Sequence, residues 1–215
     1  VDVRDRALGE YVAAAQKAVA EEVDLPPAYS ITWSGQYEYM QRAQEKLSYM
    51  VPFTLVVIFM LLYLCFRRIP ETLMLMGALP FAALGGIWLV YWLGFDLSVA
   101  VGAGFILLVG LAAEFAVVMM MYIGEAVDQH SPNNRGELRE AIMEGAVLRV
   151  RPKAMTSATV VLGLTPLLIG GGPGSEAMER IAAPMVGGMI TAPLVSLLLI
   201  PVLYWLWKRR GLPAA

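Results

Sequence analysis

Four stretches of the 215-residue sequence run 20 positions or more without a charged residue: 20 residues between Lys46 and Arg67, 24 between Glu71 and Asp96, 22 between Lys153 and Glu176, and 27 between Arg180 and Lys208. A fifth stretch, 97–124, carries a single charge, Glu114. Crossing the ~30 Å hydrocarbon layer of a membrane takes ~20 mostly apolar residues, and inside it only helices and closed barrels satisfy the backbone. The pattern therefore predicts a mostly α membrane protein with five transmembrane helices, at about 47–66, 72–94, 97–123, 154–171 and 184–207. Composition agrees, since charged residues make up 16% of the chain where a soluble domain carries ~25%.

The remaining counts exclude whole classes of function. A net charge of -2 leaves no basic excess to neutralise phosphates, so no nucleic-acid partner is expected. The single cysteine, Cys65, rules out a disulfide framework or a Cys-rich zinc site and reads as core. The single histidine, His130, rules out HExxH metalloenzymes and leaves little for a His-based triad. No Ser/His or paired-Asp arrangement falls within the spans, so no enzyme is expected. The chain opens on Val1 with its first long apolar run near residue 47, which reads as the carboxy-terminal piece of something longer.

Orientation follows from Lys and Arg. Arg67, Arg68, Arg135, Arg139, Arg149, Arg151, Lys153, Lys208, Arg209 and Arg210 all fall in the connections after spans 1 and 3 or in the tail, and only Arg180 falls after spans 2 and 4. This predicts a cytoplasmic tail at 209–215 and a periplasmic segment at 1–46. Trp88, Tyr91 and Trp92 at one end of span 2, and Tyr204, Trp205 and Trp207 at the end of span 5, read as interfacial anchors.

The periplasmic segment reads as partial α+β. Asp5 to Glu22 has Leu8, Val12, Ala15 and Val19 on one helical face, Pro26-Pro27 ends the helix, Tyr29 to Trp33 reads as a short strand, and 36–46 leads into span 1. One helix and one strand cannot bury a core. In the cytoplasmic loop, 135–149 reads as an amphipathic interfacial helix with Leu138, Ala141, Ile142, Gly145 and Leu148 on one face; a plain surface helix is the alternative.

Glu114 is the strongest candidate for chemistry. A carboxylate near mid-span costs several kcal/mol and is usually kept for a function, although a structural lock between helices would also keep it. Lys153 opens span 4 behind Arg151-Pro152, and its stem either snorkels to the headgroups or turns inward toward Glu114. Thr156, one turn on, either joins a polar relay or bonds its own backbone. Thirteen methionines suit soft monovalent metals as well as packing. Met119, Met120 and Met121 are consecutive and point in different directions, whereas Met178, Met185 and Met189 share one stripe of span 5. The run 170–174 (GGGPG) lacks the GK[ST] of a phosphate loop and reads as a turn. Small pairs at Ala82/Gly86, Ala154/Ala158 and Gly187/Thr191 allow close helix approach.

GLAAEFAVVMMMY in span 3, GAVLRVRPKAMTSATV entering span 4, GSEAMERIAAPMVGGMITAPL entering span 5 and AQKAVAEEVDLPPAYSITWSGQYE near the start together resemble the carboxy-terminal portion of heavy-metal efflux transporters of the resistance-nodulation-division (RND) superfamily. RPKAMT with AAEF resembles the copper/silver-exporting branch. The resemblance covers essentially the whole chain. It implies a proton-driven exporter of Cu(I)/Ag(I) in the bacterial inner membrane, a homotrimer that meets a periplasmic adaptor and an outer-membrane channel, with no permanently bound cofactor. It assigns Glu114 and Lys153 to an intramembrane proton relay and Met178 to a stepwise methionine path; Thr156 joins the relay, and Met185 and Met189 the path, only by their spacing from these residues. Residues 1–46 would then be the end of the periplasmic pore domain. The family's periplasmic three-methionine site lies outside this sequence, and such a fragment is not expected to transport anything alone. A divalent-metal or organic-compound exporter of the same superfamily, and a non-transporting membrane scaffold, are the alternatives.

Overall fold

A computed structural model describes residues 8–23, 26, 30–33, 35–170, 172, 174–211 and 213. Among them run α1 (Leu8–Glu22), α2 (Gln36–Phe66), α3 (Ile69–Trp92), α4 (Val99–His130), α5 (Arg135–Ile169) and α6 (Ser175–Lys208), followed by a 3-10 turn at Arg209–Gly211. The five helices from α2 onward are long and apolar enough to cross a membrane. Two compact units divide at Pro52, within α2.

In the first unit, Val12 is buried and Ala15, Gln16 and Val19 are half-buried, while Ala13, Ala14, Lys17 and Ala18 are exposed, as the 3.6-residue period requires. Residues 5–7, the Leu8 side chain and Pro27 lie outside the described residues. The strand read at 29–33 is not formed: residues 30–33 carry no regular structure, because a strand needs a hydrogen-bonded neighbour and none is present among the described residues. Tyr29 lies outside them.

In the second unit, α6 packs against α3, α4 and α5, and α4 packs against α3 and α5. The core lies along these seams, with Leu75, Met119, Ile123, Leu138 and Ile200 fully buried at one end and Leu79, Ala112, Phe115 and Met189 around mid-bundle. Small residues set the closest seam. Thr191 Oγ1 donates to Ala82 O at 2.7 Å and accepts from Gly85 N at 3.3 Å, and a Cβ on Gly86 would lie 2.8 Å from Pro184 O. Ala82/Gly86 and Gly187/Thr191 therefore form one α3–α6 contact, whereas Ala154 and Ala158 are exposed.

Three sequence readings change here. The amphipathic helix at 135–149 and span 4 are one continuous α5, with Pro152 inside it; the charges that bound an apolar stretch mark where hydrocarbon ends, not where the helix does. The apolar face of its first half is buried in protein at Leu138, Ala141, Ile142 and Gly145, and only Leu148 is exposed. Tyr204 is buried in protein, packed edge-on against Trp207, rather than presented on the surface, while Trp88, Tyr91 and Trp92 are exposed. Cys65 is exposed, not core, because Leu62 is the one buried residue of α2 in this unit.

The connections are built from specific caps. Asn134 caps α5 by accepting from Glu137 N at 2.8 Å, and Glu137 reaches back to Asn133 N at 2.8 Å, a reciprocal closure of two orphan donors. Ser131 ends α4 in the left-handed region at φ 43°. Gly174 caps α6 at φ 94°, a conformation that favours glycine. This is the end of the 170–174 turn, of which Gly171 and Pro173 lie outside the described residues.

Candidate functional site

Mid-bundle, three helices converge on one ammonium. Lys153 is the nineteenth of the 35 residues of α5, because the helix starts well before Pro152. Its side chain is buried, and Nζ donates to Phe115 O on α4 at 2.8 Å and to Ser196 Oγ on α6 at 2.9 Å. Ser196 Oγ in turn donates to Pro193 O at 2.9 Å. Lys153 thus neither snorkels nor reaches Glu114. Both of its hydrogen-bond partners are neutral oxygens, and among the described residues it pairs with no carboxylate. A buried cation held this way is costly to keep.

Glu114 sits at the middle of α4, sixteenth of 32 residues, one position before the carbonyl that holds Lys153. One residue is a 100° rotation on a helix, so Phe115 faces the seam and is buried while Glu114 is exposed on the bundle surface. The structure does not bring Glu114 and Lys153 together. It connects them through a single peptide step of α4.

Thr156 is exposed, and its Oγ1 donates to Pro152 O at 3.1 Å, the backbone-bonding alternative. The hydroxyl one turn from Lys153 on its buried side is instead Ser157, which donates to Met189 O. Of the methionine stripe, Met178 is 56% exposed, Met185 half-buried and Met189 fully buried, so the stripe runs from the surface into the seam beside Ser157. Met119 and Met120 are buried and Met121 is 52% exposed. Among the described residues, no three His, Cys, Asp or Glu side chains gather as a metal site.

Ser196 and Ser157 are the residues that sequence reasoning passed over. Ser196 lies seven residues after Met189, on the same helical face, and a lone hydroxyl in that position within LVSLLLIP was the available signal. A second feature opens at the far end of α4, where a cleft of about 820 Å³ is lined by Cys65, Glu71, Glu125, Asp128, Tyr204 and Lys208, among others. Glu71 is buried there, 3.6 Å from Arg68.

A bundle of apolar helices with a buried lysine and a mid-helix carboxylate defines a membrane protein with ionisable groups at membrane depth, the usual mark of an ion or substrate pathway. The family profile of the AcrB/AcrD/AcrF family matches residues 1–208, and the chain belongs to that family. It is 55% identical over 219 residues to the cation efflux system protein CusA of Escherichia coli O157:H7, covering 98% of this chain and 21% of that protein. CusA of Escherichia coli strain K12 is 54% identical over the same length and shares. A crystal structure of a heavy metal efflux pump superposes with a TM-score of 0.79 at 33% identity, over 95% of this chain and 20% of that one. The chain spans about a fifth of the length of the curated relatives it matches.

Proposed function

We propose that this chain is the carboxy-terminal membrane portion of a proton-driven exporter of Cu(I) and Ag(I) in the bacterial inner membrane. In this reading it works as a homotrimer with a periplasmic adaptor and an outer-membrane channel, with residues 1–46 periplasmic, the tail cytoplasmic, and the metal as cargo. The observation that carries it is the buried Lys153, held by Phe115 O and Ser196 Oγ one peptide step from Glu114, in a chain 55% identical to a cation efflux protein.

The chemistry follows from that placement. A carboxylate facing hydrocarbon at mid-span costs ~2.5–3.5 kcal/mol by insertion scales, so the exposed face of Glu114 is covered or hydrated in the working protein. Proton binding there removes a charge from one side of α4. Any resulting rotation or slide of α4 also moves the Phe115 carbonyl, and so re-aims the ammonium on the other side. Met178 at the exposed start of α6 offers a thioether to a soft cation, with Met185 and Met189 deeper on the same stripe.

Glu114→Gln in the full-length protein is expected to abolish silver tolerance in a host lacking its own exporter, at unchanged protein abundance. Full tolerance would remove the relay reading, and a fall in abundance without loss of turnover per molecule would favour a scaffold. Met178→Leu keeps the volume and removes the thioether. It should lower silver and copper tolerance and leave zinc tolerance unchanged, and equal tolerance to silver in both proteins would return the metal path to another residue.

A further inference from the structure

An apolar groove of about 310 Å³ lies between α5 and α6, lined by Arg139, Ile142, Met143, Pro201, Val202 and Trp205. Met143 and Val202 are more than half exposed, and the Arg209 guanidinium stands 4.5 Å over the Trp205 ring. Arg139 is exposed and, among the described residues, makes neither a hydrogen bond nor an ion pair; Arg209 has the ring alone. Two nearby carboxylates are engaged elsewhere, Glu137 in the α5 cap and Glu144 with His130 Nε2 at 3.2 Å. Glu140 is exposed, one position on from Arg139 and a 100° turn away from it.

The groove is thus apolar along most of its length, with Arg139 in its wall and Arg209 stacked on the Trp205 ring that lines it; neither guanidinium has an ion-pair partner among the described residues, and both lie toward the end of α6 where Trp and Arg mark a membrane interface. An apolar helix docking there would leave both cations unpaired. A phosphodiester satisfies them, because guanidinium groups bind phosphate oxygens bidentately, and basic pockets between transmembrane helices on the cytoplasmic side suit anionic headgroups. We propose that this groove binds an anionic phospholipid of the cytoplasmic leaflet, its acyl chain along Ile142, Met143, Pro201 and Val202 and its phosphate between Arg139 and Arg209. The inference rests on the proposed cytoplasmic placement of the tail and is independent of what the protein carries.

The test is native mass spectrometry of the full-length protein in mild detergent, titrated with phosphatidylglycerol and, separately, phosphatidylethanolamine. The wild type should retain phosphatidylglycerol preferentially. Arg139→Gln and Arg209→Gln should each weaken that retention about fivefold, the effect of one basic residue at an anionic surface, with phosphatidylethanolamine unchanged. Val202→Trp, which fills the groove without altering charge, should weaken both. Undiminished phosphatidylglycerol retention in the double Arg139→Gln/Arg209→Gln variant overturns the proposal. So does a photoreactive side chain at position 143 that cross-links to polypeptide rather than lipid in membranes. Lipid retention is read without transport, so failure of metal export and failure of lipid binding are separable.

Discussion

Lys153→Met in the full-length protein is expected to abolish copper and silver export while leaving the protein in the membrane at normal abundance. The ammonium is 3% exposed and held by two neutral oxygens, Phe115 O at 2.8 Å and Ser196 Oγ at 2.9 Å. Methionine has nearly the same length and flexibility, so it fills the space without opening a cavity. Replacing a buried charge by an apolar group of similar shape is often neutral or stabilising, and here the partners are not stranded: the Ser196 hydroxyl still donates to Pro193 O at 2.9 Å, and Phe115 O, inside α4, keeps its place in the helix ladder. Stability therefore gives no reason for this lysine, and its removal should appear as lost turnover. The readout is metal uptake into proteoliposomes under an imposed proton gradient, alongside a detergent melting curve. Ser196→Ala, which leaves the ammonium one side-chain acceptor fewer, should fall between the two. Wild-type flux in Lys153→Met would end the case for a lysine in the coupling path.

The contrast between Lys153 and Glu114 shows what a sequence like this one discloses. Glu114 was legible as a charge that an apolar span would otherwise exclude, because the desolvation cost is large and local, and Lys153 only as the charge that bounds the next span. Their relation was not legible. Treating Lys153 as the first residue of a span put it at a membrane edge, where snorkelling is easy. The chain instead runs α5 unbroken through Pro152, which carries Lys153 to mid-helix. A charge-bounded interval measures hydrocarbon thickness, and helices continue past it: α2 begins at Gln36, ahead of Lys46, and α4 ends at His130, beyond Glu125.

Which hydroxyls matter was hidden for a related reason. Thr156 and Ser157 differ by one position and so by 100°, and only the packing of α6 decides that Ser157 is buried and Thr156 is not. The strand pattern at 29–33 was a fair reading of alternation, but pairing is a property of two segments, and the sequence shows one. By contrast, the small-residue pairs on spans 2 and 5 were legible as contacts, since a missing side chain is itself the instruction for close approach.

Gly187→Val is expected to be the most destabilising single change in the bundle. A Cβ at Gly187 would run into the Gly85 carbonyl and lie 2.7 Å from Leu89 Cβ and 2.8 Å from Gly85 C. The first and last of these are backbone, which cannot rotate away as a long side chain can. Relief requires α3 and α6 to separate, and that breaks the Thr191 Oγ1 bond to Ala82 O and strips contacts from the most extensive seam of the unit. Between helices in lipid no hydrophobic force repays lost packing, so the cost should reach the upper end of the ~1–3 kcal/mol seen for overpacked cores. Detergent-solubilised protein should melt at a clearly lower temperature and accumulate less in membranes. Gly163 on α5 is the matched control: nothing lies within 4 Å of a Cβ built there, and exchanging a helical glycine for alanine gains ~1 kcal/mol of propensity. Gly163→Ala should therefore melt at or above the wild type. If Gly187→Val melts with it, the α3–α6 seam is not the close contact that these glycines describe, and the helix pair must be held by some other part of the protein.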